Sequence, residues 1–394
     1  MSTEPPPPRN PVFEAMGIPR IRLPGPKMSL FLLTVGGIAG LIYYDRRERR
    51  ANRQRWKDRV SFLAQEPLPV TALPRSVKVY LSPPPGDHMD ITMTHFTQYV
   101  KPILTAAAID WEVVKEYRQG DIRYSVAEEI RKQRRGDDDR NEYEKKAAAN
   151  LTRDPSGGAI CIGRGAYKEY LHGVHEGWLG PLEPPALPEP ELPTKPENVA
   201  QDQTSAAAAD ARDAFVENAA TAVSEADASS SAPPTPPSET ESEEERKKKE
   251  EEAKKPPKPY ISTADYASAS TPPEFAKLDH LGPVMYVPHP HILGFRHTPI
   301  RTYRFFTRRD LADSVGRATA AVALNNTRPF VSRIDVDAGK HEEDEWPTKW
   351  KQTGLERGSE WMQDVVVDER VVEKLRVYEV PAEFDEQSPS TNEN

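Results

Sequence analysis

Three sets of residues in this sequence have types and spacings that could do chemistry. The first is Gly163-Arg164-Gly165, which follows the apolar run Ala159-Ile160-Cys161-Ile162 and precedes a helical pattern starting near Ala166. A glycine turn from strand to helix presents backbone N–H groups at a helix N-terminus, where phosphate can be held. This turn has two glycines and no acidic residue for a metal, so it is phosphate-loop-like only in degenerate form. It serves equally well as a tight turn that packs a helix on a sheet. The second set is His289, His291 and His297. Zinc uses imidazoles on defined elements with oriented partners behind them. Two of these three lie in Val287-Pro288-His289-Pro290-His291, a stiff extended loop, so no metal is assigned. The third is Cys161, the one cysteine of the chain, which permits neither an intrachain disulfide nor a multi-cysteine metal site. Its apolar neighbours mark it as a buried side chain. Trp346, Trp350 and Trp361 read as core or interface anchors. No nucleophile–base constellation and no His/Glu zinc motif stands out, so no catalytic residue and no cofactor is assigned.

A different kind of spacing lies near the N-terminus. Met28 to Tyr44 (MSLFLLTVGGIAGLIYY) contains no charge. Its 17 residues make roughly 25 Å of helix, near the short end for a membrane span. Tyr43 and Tyr44 stand where an interfacial aromatic belt belongs. The run ends in tyrosines and a basic stretch rather than a small-residue cleavage site, which predicts a retained anchor. Gly36 and Gly40 fall on one face of this helix, where small residues let another helix approach. Arg46 to Arg59 follows with eight bases and two acids, as expected of a juxtamembrane helix beside anionic headgroups. The positive-inside rule weakly favours the large C-terminal part on the cytoplasmic or matrix side. The first 27 residues are proline-rich and contain Glu4 and Glu14, unlike a cleavable mitochondrial presequence.

The elements that would position the glycine turn follow. Val77 to Leu81 alternates as a strand and ends in Ser82-Pro83-Pro84-Pro85-Gly86-Asp87, a turn. Ile91 to Ala108 is spaced as a helix that Pro102 would kink. Ile109 to Tyr117 reads as a second strand, Ile122 to Arg135 as a helix, and Ala159 to Ile162 as a short buried strand. Asp137 to Lys146 between them is charged and exposed. The alternation predicts a three-layer α/β unit with a mainly parallel sheet.

Composition divides the chain. Proline is 40 of 394 residues and apolar residues are 37%, which excludes one compact globule. Pro181 to Asp279 holds 21 acids and 10 bases against a net charge of −9 for the whole chain, so the remainder is slightly positive. That balance excludes a basic nucleic-acid binder. The expected organisation is a disordered N-terminus at 1–27, a transmembrane helix at 28–44, a basic juxtamembrane helix at 45–67 and an α/β domain at 68–180. A disordered acidic linker at 181–274, a β-rich α+β domain at 275–383 and a disordered tail at 384–394 complete it. In the C-terminal part, Val284 to Val287 and Thr302 to Phe306 read as strands, and Arg308 to Leu324 as a helix with Leu311, Val315 and Val322 facing inward. Val365 to Val367 and Leu375 to Val380 each read as a further strand or helix.

The chain resembles the Tim54 family, a subunit of the mitochondrial inner-membrane translocase for carrier proteins. The residues that carry the resemblance are Gly17-Ile18-Pro19, Tyr44-Asp45-Arg46-Arg47-Glu48, Ser76 to Leu81, Gly163-Arg164-Gly165-Ala166-Tyr167-Lys168-Glu169-Tyr170 and His175-Glu176-Gly177-Trp178-Leu179-Gly180-Pro181. The resemblance implies a non-enzymatic single-pass protein of the inner membrane with its large domain in the intermembrane space, against the charge-based orientation. It also implies support of carrier insertion, with channel-forming and accessory translocase subunits and small intermembrane-space chaperones as partners. A fainter resemblance, in the order of strands, loops and helices, is to diacylglycerol-kinase-type lipid kinases. Their third-strand turn is a Gly-Gly-Asp-Gly-Thr loop, which implies here a scaffold that has lost its chemistry. The alternatives are a membrane-tethered lipid kinase and an adaptor for assembly of another inner-membrane complex.

Overall fold

Val77, Val79 and Leu81 alternate with Lys78 and Tyr80, and this period of two forms strand β1 (Ser76–Leu81). The computed structural model describes residues 25–67, 75–136, 157–184 and 257–381. β1 pairs in parallel with β2 (Asp110–Lys115) on one side and β3 (Ala159–Ile162) on the other. β3 pairs in parallel with β4 (Val284–Val287), and β4 with β6 (Arg376–Tyr378). β5 (Thr327–Pro329) closes the sheet antiparallel to β6, giving the order β2-β1-β3-β4-β6-β5.

Two helical layers cover this sheet, as the α/β alternation predicts. Helix α1 (Pro26–Val60), helix α2 (89–106) and helix α6 (Arg308–Leu324) bury Val77, Val79, Leu81, Ile160 and Ile162 on one face. Helices α3 (Asp121–Arg135) and α4 (Arg164–Leu179) bury Tyr80, Ala159 and Cys161 on the other. Helix α2 runs Met89–His95, passes through a π turn at Phe96–Val100 and finishes as Lys101–Ala106. The π turn is where the expected effect of Pro102 is absorbed, because proline has no N–H to donate back up the helix. The carbonyl of Gln98 instead accepts from Arg53 Nη1 of α1 at 3.1 Å.

Two expectations are corrected. The residues after the acidic segment do not build a β-rich domain of their own. They supply β4, β5 and β6 to the same sheet as β1 to β3, so the described residues of the two expected domains form one structural unit. The reason is pairing: β3 pairs on both edges, and β4 is, like β3, a four-residue apolar strand, with Val284 and Val287 buried. Thr302 to Phe306 is helical, within α5 (Thr298–Phe306), and Val365 to Val367 is irregular. The second correction is the boundary at 274. Residues 257–274 are ordered against α3 and α4, with Tyr266 buried and its ring stacked on His175 at 5.5 Å. Tyr260, Ile261 and Tyr266 are the large side chains of a stretch whose average composition reads as linker. The expectations for 1–24, 137–156, 185–256 and 382–394 lie outside the described residues.

Helix α1 joins the apolar run to the sheet without a break. It is one helix of 35 residues, long and apolar enough to cross a membrane. Leu30 to Leu41 is exposed, Ile42 is half-buried, and the first buried residue is Asp45. Asp45 is buried and its Oδ1 accepts from the Arg309 backbone N–H at 3.0 Å, an acid at the start of α6 where the helix dipole favours it. One turn and more further on, Asn52 Nδ2 donates to Arg309 O at 3.0 Å, and Trp56 Nε1 donates to Asp313 Oδ1 at 2.9 Å. At the far end of α6, Ala323 O accepts from Arg75, the residue before β1, at 3.3 Å. The C-terminus of α6 therefore lies at the amino ends of the strands. Its N-terminus, on Asp45, lies on the side of their carboxyl ends. The carboxyl edge of the sheet and the end of the apolar run face the same way.

A protease site engineered into 185–256 tests the shared sheet. After cleavage of the purified full chain, the two halves are expected to co-elute on size exclusion and to separate only in denaturant. Separation in native buffer would contradict one sheet built from both halves.

Candidate functional site

The order of the strands reverses between β1 and β3, so the crevice outside their carboxyl ends is where an open α/β sheet binds ligands. Three loops line it: Ser82 to Pro85 after β1, the Gly163 turn after β3, and the His289 loop after β4. Gly163 has φ 84° and ψ 159°, a conformation that L side chains rarely adopt, so glycine is required there. Gly165 is required for a different reason. A Cβ on it would stand 2.6 Å from the Trp361 ring. The turn is thus placed as the sequence predicts, with Arg164 opening α4.

The position that a phosphate would take is occupied by the chain itself. Glu342, on the short helix α7 (Lys340–Glu345), accepts the Arg164 backbone N–H on Oε2 at 2.8 Å. Its Oε1 accepts from the His289 backbone N–H at 2.6 Å and from the Tyr286 hydroxyl at 2.5 Å. A carboxylate at a helix N-terminus meets the same N–H groups and dipole that would draw an anionic ligand. Burial pushes the Glu342 pKa up, against the pull of these donors. The Arg164 guanidinium is also turned onto the protein. It donates to Glu343 at 2.7 Å and to the carbonyls of Val336 and Ala338 at 2.6 and 3.0 Å. Lys168, one turn along α4, donates to Trp361 O at 2.7 Å and pairs with Glu343 at 3.0 Å. Burial alone would raise the Glu343 pKa, but Arg164 and Lys168 hold it below the ordinary value.

What remains of the crevice is a cavity of about 20 Å³, room for about one water molecule. A small-molecule site is larger by at least an order of magnitude, at ~300 Å³ or more. Beside it, an open groove of about 350 Å³ runs between Pro83 to Pro85, Tyr117, Arg118, Trp350 and Trp361. Trp346, Trp350 and Trp361 pack together with ring centroids 5.4 to 5.8 Å apart, which are anchors as the sequence suggests.

The histidines separate. His289 and His291 stack at 6.3 Å, and His289 meets His95 edge-on at 4.8 Å, while His297 is exposed elsewhere. Among the described residues no group of three His, Cys, Asp or Glu side chains could hold a metal ion. Cys161 is fully buried and burial pushes its thiol pKa up. Gly36 and Gly40 lie on the exposed part of α1, with open space within 4 Å of where a Cβ would stand. Glu342 and Glu343 were missed by sequence reasoning, since Lys340-His341-Glu342-Glu343-Asp344-Glu345 has the composition of a solvated charge run.

Fold and site define an α/β protein with one helix long and apolar enough to cross a membrane and with its crevice filled by its own side chains. Its sequence matches the family described as inner membrane protein import complex subunit Tim54 over residues 10–378. It is 37% identical to the mitochondrial import inner membrane translocase subunit TIM54 of Candida albicans, across 94% of this chain and 96% of that one. It is 32% identical to the subunit of the same name from Yarrowia lipolytica, across 95% of both chains. Against the Neurospora crassa subunit the identity is 37%, over 95% of this chain and 82% of the relative. The chain belongs to the Tim54 family of mitochondrial inner-membrane import translocase subunits, which are not enzymes.

Two predictions follow from the site's geometry. Glu342→Ala strands two buried backbone N–H groups and the Tyr286 hydroxyl, and is expected to cost about 3 kcal/mol in denaturant unfolding followed by tryptophan fluorescence. A cost near zero would show that Glu342 does not hold the turn. The second concerns pH. Burial lowers the pKa of His95 to about 4 and of His172 to about 3, and lowers those of His175, His289 and His291 as well. Below pH 6.5 the unfolded chain therefore binds protons that the folded chain refuses. The share of stability that depends on these histidines is expected to be full above pH 6.5 and to be lost as pH drops towards 4 and below. Asn replacements of His95 and His172 together should flatten that fall in a pH series of thermal melts.

Proposed function

We propose that this chain is a structural subunit of the mitochondrial carrier translocase, holding its channel-forming and accessory subunits together and helping to dock small intermembrane-space chaperones. The observation that carries the reading is membership of the family together with a crevice closed by Glu342 and Arg164. The α1 anchor is the natural contact with channel subunits in the membrane, through the face that carries Gly36 and Gly40. The large domain lies in the intermembrane space on this reading, although the dense bases of Arg46 to Arg59 argue for the opposite side. The α/β domain is on the same reading a diacylglycerol-kinase-type scaffold without phosphoryl transfer. What supports this is that the N–H group a phosphate needs is already paired with a carboxylate of the chain.

The test is purification of the tagged full chain from mitochondria in mild detergent, with mass spectrometry of its companions. Channel subunits and chaperones in near-stoichiometric amounts are expected. Isolation alone, or with lipid-metabolic or proteolytic machinery, would contradict the reading. Gly36→Leu with Gly40→Leu is expected to weaken recovery of the channel several-fold while membrane insertion stays intact. Unchanged recovery would remove the glycine face from the interface.

A further inference from the structure

The segment between β4 and α6 has a feature that neither the crevice nor the anchor uses. Phe295 is 91% exposed, and on α5 Tyr303 is 68%, Ile300 45% and Phe305 41% exposed. No residue of α5 is buried. Pro299, Ile300, Tyr303 and Phe306 share one arc of the helix, Arg304 borders it, and Arg301 and Phe305 lie on the far side. Between residues 288 and 309 there are five arginines and no acid. A short helix with an apolar arc, aromatic residues and a basic flank has the pattern of an interfacial helix that lies on a bilayer.

The position of this helix makes the pattern specific. Arg308 opens α6 directly after α5, and Arg309 N–H is bonded to Asp45. The Arg309 guanidinium also lies 5.4 Å over the ring of Tyr44, the last residue of the charge-free run. The nine residues of α5 rise only about 14 Å, so no part of its backbone is much farther than that from its end beside Tyr44 and Asp45. Arg304 Nη1 bonds Glu345 at 2.8 Å, which ties α5 to the body of the domain through α7.

We propose that Phe295 and α5 form a second membrane contact, an interfacial foot that rests on anionic phospholipid headgroups beside the exit of α1. Phe295, Ile300 and Tyr303 enter the interfacial region, and Arg296, Arg301 and Arg308 meet the phosphates. The foot holds the carboxyl edge of the sheet towards the bilayer. This inference rests on the reading of α1 as a membrane span.

The test uses the full chain in vesicles of phosphatidylcholine and phosphatidylglycerol. Nitroxide labels go on Phe295→Cys and Tyr303→Cys, with Leu33→Cys in the apolar run and Gln133→Cys on α3 as references. The native Cys161 is fully buried and stays unlabelled. Collision with lipid-soluble oxygen is compared with collision with a water-soluble nickel complex. The Phe295 and Tyr303 labels are expected to favour oxygen, as Leu33 does, and Gln133 to favour nickel. Adding Arg296→Glu and Arg301→Glu, or omitting phosphatidylglycerol, should shift the Phe295 and Tyr303 labels several-fold towards nickel and leave Leu33 unchanged. Labels at 295 and 303 as nickel-accessible as Gln133, with Leu33 in lipid, would overturn the foot alone. A nickel-accessible Leu33 would overturn the spanning reading with it. Labels shielded only after other translocase subunits are added would assign the surface to protein and overturn the lipid contact.

Discussion

The carboxylate of Glu176 sits between the guanidinium groups of Arg123 and Arg131, and all three side chains are out of water. An unpaired charge in such a place would cost several kcal/mol, so its partners are obligatory. Glu176 is one of several such groups on α4, a helix whose sixteen residues are all buried. Its charged residues reach partners from both sides of the acidic segment. Arg123 and Arg131 lie before that segment. The Tyr260 N–H, which Glu176 accepts at 3.0 Å, and Glu360, which takes Arg123 at 2.9 Å, lie after it. Arg164 and Lys168 take Glu343, and Glu169 accepts from the Trp361 indole. The first half of the chain thus cannot bury α4 alone, and this need, with the β3–β4 pairing, makes one unit of two separated stretches.

The same satisfaction of α4 shapes the site. The helix begins at the turn where an α/β protein would hold an anionic ligand, and there too its polar groups are answered from within. Glu342 supplies the negative charge, and the loop after β4 supplies the His289 N–H that holds Glu342 in place. A scaffold results whose rigidity at the crevice comes from its own residues. At the carboxyl edge the structure passes through α5 and α6 to the end of α1, where Asp45 closes the N-terminus of α6. The crevice and the end of the apolar run are therefore connected through α7, α5 and α6 on one side of the sheet.

Much of this was legible in the residues. Period-two alternation located β1, a short apolar run located β3, helical spacing located α3 and α6, and absence of charge located the part of α1 that is long and apolar enough to cross a membrane. The glycine turn was found because glycine and sequence neighbourhood suffice to mark it. What could not be read was which distant group answers each polar one. Glu342 and Glu343 sit in a charged run that looks solvated, and only the arrival of Arg164 and Lys168 makes them interior. Tyr260 and Tyr266 were hidden by the composition around them, since averages over a segment conceal two anchors. Thr302 to Phe306 has the aromatic content of a strand, and it is helical because it joins the stretch that leads into α6.

The central claim is that the crevice at the carboxyl ends of β1 and β3 is already occupied by the chain. Titration of the purified full chain with magnesium ATP, read by calorimetry and by quenching of Trp361 and its neighbours, tests it most directly. The account predicts no saturable heat and no change in fluorescence. Saturable binding that is lost in Gly163→Val, with the fold retained by circular dichroism, would contradict it and return the turn to phosphate chemistry.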